Sequence, residues 1–437
     1  MPDTQPVGPL QSSRPETIVL HGGYRADPTT GAVAVPIYQT TSYQFQDTSH
    51  AARLFALQEL GNIYTRLMNP THDVLEQRIA RLEGGVAGLA VASGQAASTF
   101  AILNIAEAGD NIVSSTDLYG GTWALFANTL KRLGIETRFV DPADPEAFAR
   151  AADSRTRAFY AETLPNPKLE VFPVAEVAAI GRRLGIPLIM DNTAAPVLAR
   201  PIAQGAAVVV YSTTKYIGGH GTTIGGMLVD GGNFPWEEHR ARFPLLGEPD
   251  AAYHGINWID ASKPLGPVAY VLRARTVLLR DIGAAMTPLA AFAFLQGLET
   301  LPLRIERHSS NALRVAQALA ENPKVARVIY PGLQSGEARR RADAVLSGGY
   351  GGLVGLELAG GKEAGVRFIE ALQLFYHVAN IGDARSLAIH PATTTHSQLT
   401  EAEQAATGVG PGYVRLSIGI EHIDDILADL QQALARA

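Results

Sequence analysis

The chain has 437 residues, 46% hydrophobic and 18% charged, which is enough for more than one packed unit around a large core. Its formal charge of −6, from 36 Lys and Arg against 42 Asp and Glu, gives no bulk electrostatic support for a nucleic-acid partner. The absence of cysteine excludes disulfides, thiolate-held zinc, iron–sulfur clusters and thiol catalysis, and it fits a cytoplasmic protein.

The opening MPDTQPVGPLQSSRPET has no apolar stretch behind a basic start, so no secretory signal is expected. No run of 18 apolar residues predicts a membrane span. Residues 1–71 lack a long periodic pattern and are rich in Pro, Gly, Thr and Gln, which reads as an arm. A helix is predicted over 72–83, where Val74, Leu75, Ile79 and Leu82 recur at helical spacing. Strand-like runs then alternate with helical ones: 88–92 and 96–106, 111–115 and 122–133, 137–140 and 145–152, 158–162 and 174–184, followed by strands at 188–191 and 207–211. This alternation predicts an α/β domain over 72–268 around a mainly parallel sheet. After Pro264 the pattern becomes less regular. Helices over 270–279, 286–298, 303–318, 362–371 and 423–437, with strands over 325–329, 352–358 and 413–417, predict a smaller α/β domain over 269–437. Arg339, Arg340 and Arg341 read as a solvated helix face.

Ligands of such sheets bind outside the carboxyl ends of the strands. Those ends carry Ser93-Gly94-Gln95, Glu162, Asp191-Asn192 and Ser212-Thr213-Thr214-Lys215. A lone lysine in a turn is ordinarily a surface residue. Lys215, however, leaves a wholly apolar strand and sits among hydroxyls and glycines, and a lysine desolvated there becomes a usable amine nucleophile. Asp191 could cap a turn. With Lys215 downstream, the favoured reading makes it the carboxylate partner of a cationic ring nitrogen. Ser93-Gly94-Gln95 joins a strand to a helix, an arrangement suited to a phosphate but common in itself. Tyr119 beside Gly120 and Gly121 fits either a tight turn or a ring that stacks on a flat cofactor.

Taken together, Tyr64-Thr-Arg66-Leu-Met-Asn69-Pro70-Thr71, Ser93-Gly94-Gln95, Tyr119-Gly-Gly, Glu162-Thr-Leu-Pro-Asn166-Pro, Asp191-Asn-Thr193, Ser212-Thr-Thr-Lys215 and the segment Ser386 to His396 resemble the Cys/Met-metabolism PLP-dependent enzymes. The motifs fall in family order from about residue 17 to the end. Finer signals are Gln95, the Gly218–Gly226 run and the insert holding Trp236 and Tyr253-His254-Gly255; they resemble the O-acetylhomoserine sulfhydrylases within that family. The resemblance implies the fold-type-I architecture of aspartate-aminotransferase-like enzymes, with pyridoxal 5'-phosphate as cofactor. It implies that Lys215 forms the Schiff base, Asp191 pairs with the pyridine nitrogen, and Tyr119 stacks on the ring. Ser93, Gly94, Gln95, Thr193, Ser212 and Thr214 would complete the cofactor site. Tyr64 and Arg66 would reach the neighbouring subunit's cofactor, in a homotetramer built from dimers with shared sites. Arg415, helped by Asn166 and Ser386, would clamp the substrate carboxylate. The implied reaction is γ-replacement on an O-acylated homoserine with sulfide or a thiol, with Lys215, Tyr119 and Tyr64 as the catalytic groups.

Other readings were open. Within the family these are a γ-lyase and a synthase that joins cysteine. Ser212-x-x-Lys215 has the spacing of an acyl-enzyme, but the companion Ser-Asp-Asn and Lys-Thr-Gly motifs are missing. The glycines over 348–355 precede a strand-like run, the wrong order for a dinucleotide turn. His390 and His396 lack the acid cluster that would complete a metal site, so no metal is expected. A scaffold without catalysis would be expected to have lost Lys215 or Asp191.

Overall fold

The computed structural model describes residues 12–394 and 408–437. Seven strands form the first sheet: β1 (Ala87–Val91), β2 (Asn111–Ser115), β3 (Glu136–Val140), β4 (Thr156–Glu162), β5 (Leu188–Asp191), β6 (Val208–Tyr211) and β7 (Gly226–Asp230). Their order is β1-β7-β6-β5-β4-β2-β3. The five strands from β6 to β3 run parallel, whereas β7 is antiparallel to both β6 and β1. Strands β4, β5 and β6 are buried along nearly their whole length, and apolar in their centres, because helices cover both faces of a parallel sheet. One apolar core lies on each face, one around Phe159, Met190 and Val209, the other around Tyr160, Ile189 and Val208.

Sequence periodicity located six of these strands and missed β7. It starts at the last residue of the Gly218–Gly226 run, so the glycines hid a short strand buried at every position. Helix Pro70–Glu83 begins where the Asn69 side chain accepts from the Thr71 N–H at 2.9 Å, and it stops at Gly84, whose φ of 80° suits glycine. The arm carries two short helices, Pro15–His21 and Thr48–Phe55.

The second sheet has five strands: β8 (Val325–Ile329), β9 (Leu353–Leu358), β10 (Tyr376–His377), β11 (Leu387–Ile389) and β12 (Tyr413–Ser417). They are ordered β10-β11-β12-β9-β8. Its core gathers Val354, Leu356, Val414, Leu416 and the closing helix Ile423–Arg436. The handover between the two units falls later than the composition change after Pro264. Tyr270, Leu278, Phe294 and Leu298 still pack into the cores of the first sheet. The 20-residue helix Leu301–Ala320 crosses over, giving Leu301 and Ile305 to the first unit and Ala312, Val315 and Leu319 to the second. Among the described residues, no helix is long and apolar enough to cross a membrane. The glycines at 348–352 lead into β9, as their order in sequence predicts, and Arg339 and Arg340 pair with Asp343 and Glu337 on an exposed helix.

Candidate active site

The carboxyl ends of β1, β4, β5 and β6 converge on one cavity of about 280 Å³. Ser93, Gly94, Gln95, Tyr119, Asn166, Asp191, Thr193, Ser212, Thr214, Lys215 and Arg415 all line it, so nearly every residue singled out in sequence meets at one place. Lys215 starts a tight loop whose backbone closes Gly218 N–H on the Thr213 carbonyl and Gly219 N–H on the Lys215 carbonyl, each at 2.8 Å. The buried Arg304 guanidinium holds that loop from behind, donating to the carbonyls of Tyr216, Ile217 and Gly297 at 2.7, 3.2 and 2.6 Å. The Lys215 amine therefore projects from a fixed base, and its Nζ donates to Asn380 Oδ1 at 2.6 Å. Burial, then the nearby Arg415 charge, lowers the ammonium pKa to about 8.

Asp191 ends β5 and lines the same cavity as Lys215. Its Oδ1 accepts from the Thr193 N–H at 2.9 Å, and the Thr193 hydroxyl accepts from the Ser212 N–H at 2.8 Å, which ties the ends of β5 and β6 together. Burial pushes the Asp191 carboxyl up, and no cationic side chain pairs with it among the described residues. A buried acid left without a cation is expensive unless a ligand brings one.

Also on the cavity wall, helix Gly94–Leu103 begins at Ser93, whose Oγ accepts from the Ala96 N–H at 3.1 Å, and this leaves the N–H groups of Gly94 and Gln95 for a ligand. A Cβ at Gly94 would lie 2.6 Å from the Ser212 Cβ, so only glycine lets the helix start approach the Ser212-Thr213-Thr214 turn. Gln95 Oε1 accepts from the Thr122 hydroxyl at 3.3 Å. Thr214 Oγ1 accepts from the Gly225 N–H at 3.0 Å. Tyr119 is 54% exposed, with its ring over Gly121, where a Cβ would come within 2.5 Å of that ring. On the opposite side Arg415 rises from β12, buried, with Nη2 donating to the Asn380 carbonyl at 2.8 Å. Arg415 Nε and Asn166 Oδ1 are buried with no partner among the described residues, so both can receive a ligand.

Three sequence-derived positions stand apart. Tyr64 is 40% exposed and off this cavity, with the Arg66 guanidinium 5.4 Å from its ring centre; Arg66 Nη1 donates to the Arg280 carbonyl at 2.7 Å. Ser386 was expected at the substrate carboxylate. The structure instead buries it behind the cavity wall, where its hydroxyl donates to Glu421 at 2.9 Å and accepts from the Gly419 N–H at 2.9 Å. Asn380 occupies the place expected of it, joining Lys215 and Arg415. Nothing in the local sequence Ala379-Asn380-Ile381 signals this role, because only the return of the C-terminal sheet brings it to Lys215. Glu162 stood at a strand end in sequence without an assigned role; it also lines the cavity. His390 shares its ring nitrogens with Thr393 Oγ1 and the Pro411 carbonyl, and no metal-binding cluster exists among the described residues. His396 lies outside those residues.

The family model described as Cys/Met metabolism PLP-dependent enzyme matches residues 16–435. The chain belongs to that family. It is 54% identical to an O-acetyl-L-homoserine sulfhydrylase of Leptospira meyeri, over 98% of this chain and 99% of the relative. It is 46% identical to a homocysteine/cysteine synthase of Saccharomyces cerevisiae, over 96% and 97%. A crystal structure from Campylobacter jejuni, assigned as an O-acetylhomoserine (thiol)-lyase and carrying a pyridoxyl-lysine phosphate, superposes with a TM-score of 0.92 at 41% identity, over 97% of this chain and all of that one. The family's cofactor is pyridoxal 5'-phosphate, and the fold is type I of the PLP-dependent enzymes. The cavity suits that cofactor: an amine of lowered pKa, a buried carboxylate lacking a cation, and a helix start closed to any side chain larger than glycine.

Proposed function

We propose that the protein catalyses γ-replacement on O-acetyl-L-homoserine, with sulfide or methanethiol giving homocysteine or methionine and acetate. The observation that carries the reading is one cavity lined at once by the Lys215 amine, the Asp191 carboxyl and the Arg415 guanidinium. The names of the relatives supply the substrate class. Pyridoxal phosphate, when bound, supplies an electron sink for an amino acid joined to it. Lys215 carries the cofactor and then takes the Cα proton on Nζ, the amine being aimed by Asn380. Asp191 would hold its negative charge against the cofactor's ring nitrogen and keep it cationic. Tyr119 would cover the ring, and Ser93, Gly94, Gln95, Thr193, Ser212 and Thr214 would hold the phosphate and the rest of the cofactor. Arg415 grips the substrate carboxylate with two parallel hydrogen bonds, next to Asn166.

The exposed Tyr64–Arg66 pair supports a site completed by the neighbouring subunit, in a cytoplasmic homotetramer with residues 1–71 as the exchanged arm. The rest of the chain would divide into the units expected over 72–268 and 269–437, with the helices over 269–299 packed on the first of them. Incubation with O-acetylhomoserine and sulfide should yield homocysteine and acetate faster than methionine or cystathionine yields a keto acid. Faster release of keto acid would make the enzyme a lyase.

Two further outcomes follow. Arg415→Lys keeps the charge but loses the fork, so kcat/KM should fall roughly 10²-fold, mostly through KM, for a lost charged hydrogen bond of about 2–3 kcal/mol. Steady-state kinetics check this. The rate at which apoenzyme recaptures pyridoxal phosphate should rise with pH through about 8, because only the neutral Lys215 amine adds to an aldehyde. A rate still climbing at the pH of a free lysine would contradict that.

A further inference from the structure

We propose that Glu162 is a positioning residue of this site that works as a neutral carboxylic acid, seating Tyr119 and leaving Asp191 as the single anion at the cavity floor. Glu162 ends β4 in register with Asp191 on the adjacent parallel strand β5, so the two side chains stand on the same face of the sheet. Both line the cavity, and Glu162 is buried. Its Oε1 accepts from the Tyr119 N–H at 2.5 Å, at the start of the helix Gly120–Ala124, and this bond fixes where the Tyr119 ring can lie.

The charged groups acting on Glu162 are Asp191 from β5 and Asp117 from the segment after β2, while Lys215 and Arg415 line the same cavity. Asp117 already pairs with Lys168 at 2.7 Å. Lys215 Nζ and Arg415 Nη2 are both given to Asn380. No ion pair reaches Glu162 among the described residues. Burial, then the charge on Asp191, pushes the Glu162 carboxyl well above the usual carboxylate range. Two adjacent buried carboxyls do not both stay ionised unless each has a cation. Asp191 gains one from the cofactor ring and Glu162 gains none, so the proton rests on Glu162.

This inference rests on the assignment of Asp191 as the ring partner, and the test separates the two. Infrared spectra of the holoenzyme should show a carboxylic-acid carbonyl band, shifted in D2O, that disappears in Glu162→Gln. Glu162→Gln keeps an acceptor for the Tyr119 N–H and should turn over at least about tenfold faster than Glu162→Ala, which loses that anchor. The loss in Glu162→Ala should lie in kcat, with KM nearly constant. A wild-type enzyme without the band, or a Glu162→Gln enzyme as slow as Glu162→Ala, overturns the proposal. Should Glu162→Ala fail to fold, the band and its loss in Glu162→Gln decide alone. Failure of the Asp191 assignment would show separately, as full turnover in Asp191→Asn.

Discussion

Lys215→Ala should lower kcat by roughly 10²–10⁴-fold, the span of a lost acid–base group, and abolish the yellow Schiff-base absorbance of the enzyme as isolated. The size of the effect follows from geometry. Among the described residues Lys215 is the single lysine on the cavity wall, fixed by the Arg304-held loop and aimed through Asn380, so none of their other amines stands where the Cα proton leaves. Folding should survive the change. The variant loses one hydrogen bond and leaves Asn380 Oδ1 wanting a donor, a cost of about 1–3 kcal/mol. Circular dichroism and the thermal midpoint would establish that. Small primary amines added to the variant should restore part of the turnover, because they can occupy the space the side chain vacates. Normal turnover in Lys215→Ala would end the assignment.

Asp191→Asn should lower kcat by roughly 10²–10³-fold, the range seen when one preorganised electrostatic contact at a reacting centre is removed. The amide oxygen can still accept from the Thr193 N–H, so the β5–β6 junction and the phosphate side of the cavity stay in place. KM should move little, since the substrate carboxylate is held at Arg415, on the other side. The effect on the apoenzyme has the opposite sign. Burial raises the Asp191 carboxyl above its unfolded value, so the charged form opposes folding. The contribution of such a group is favourable below its unfolded pKa and is lost as pH rises through the folded one. Asp191→Asn apoenzyme should therefore melt no lower than wild type at neutral pH, although its holoenzyme is crippled. Kinetics within threefold of wild type would remove Asp191 from the mechanism.

Most of the α/β pattern is legible in the chain because each strand of a doubly covered sheet must be apolar on both faces. The runs 111–115 and 188–191 are strands to the residue. The antiparallel β7 is not legible, because it starts inside the Gly218–Gly226 run and only Met227, Leu228 and Val229 remain as an apolar stretch. The unit boundary is blurred for a similar reason: the helices over 269–299 differ in composition from the first unit yet bury their apolar faces on it.

The sequence by itself determined the chemistry available to this protein: a lysine, a carboxylate, a glycine-opened helix start and an arginine in family order, with catalysis by a cysteine side chain excluded. Strand ends are local features, so residues placed there could be recognised without knowing what faces them. Only the tertiary structure decided which groups meet. It brought Asn380 to Lys215 and Arg415, kept Ser386 off the cavity, set Glu162 beside Asp191, and left Tyr64 and Arg66 outside this chain's own cavity. Those outcomes depend on how the second sheet returns to the first and on which carboxyl lacks a cation, and long-range packing leaves no short-range mark on the sequence.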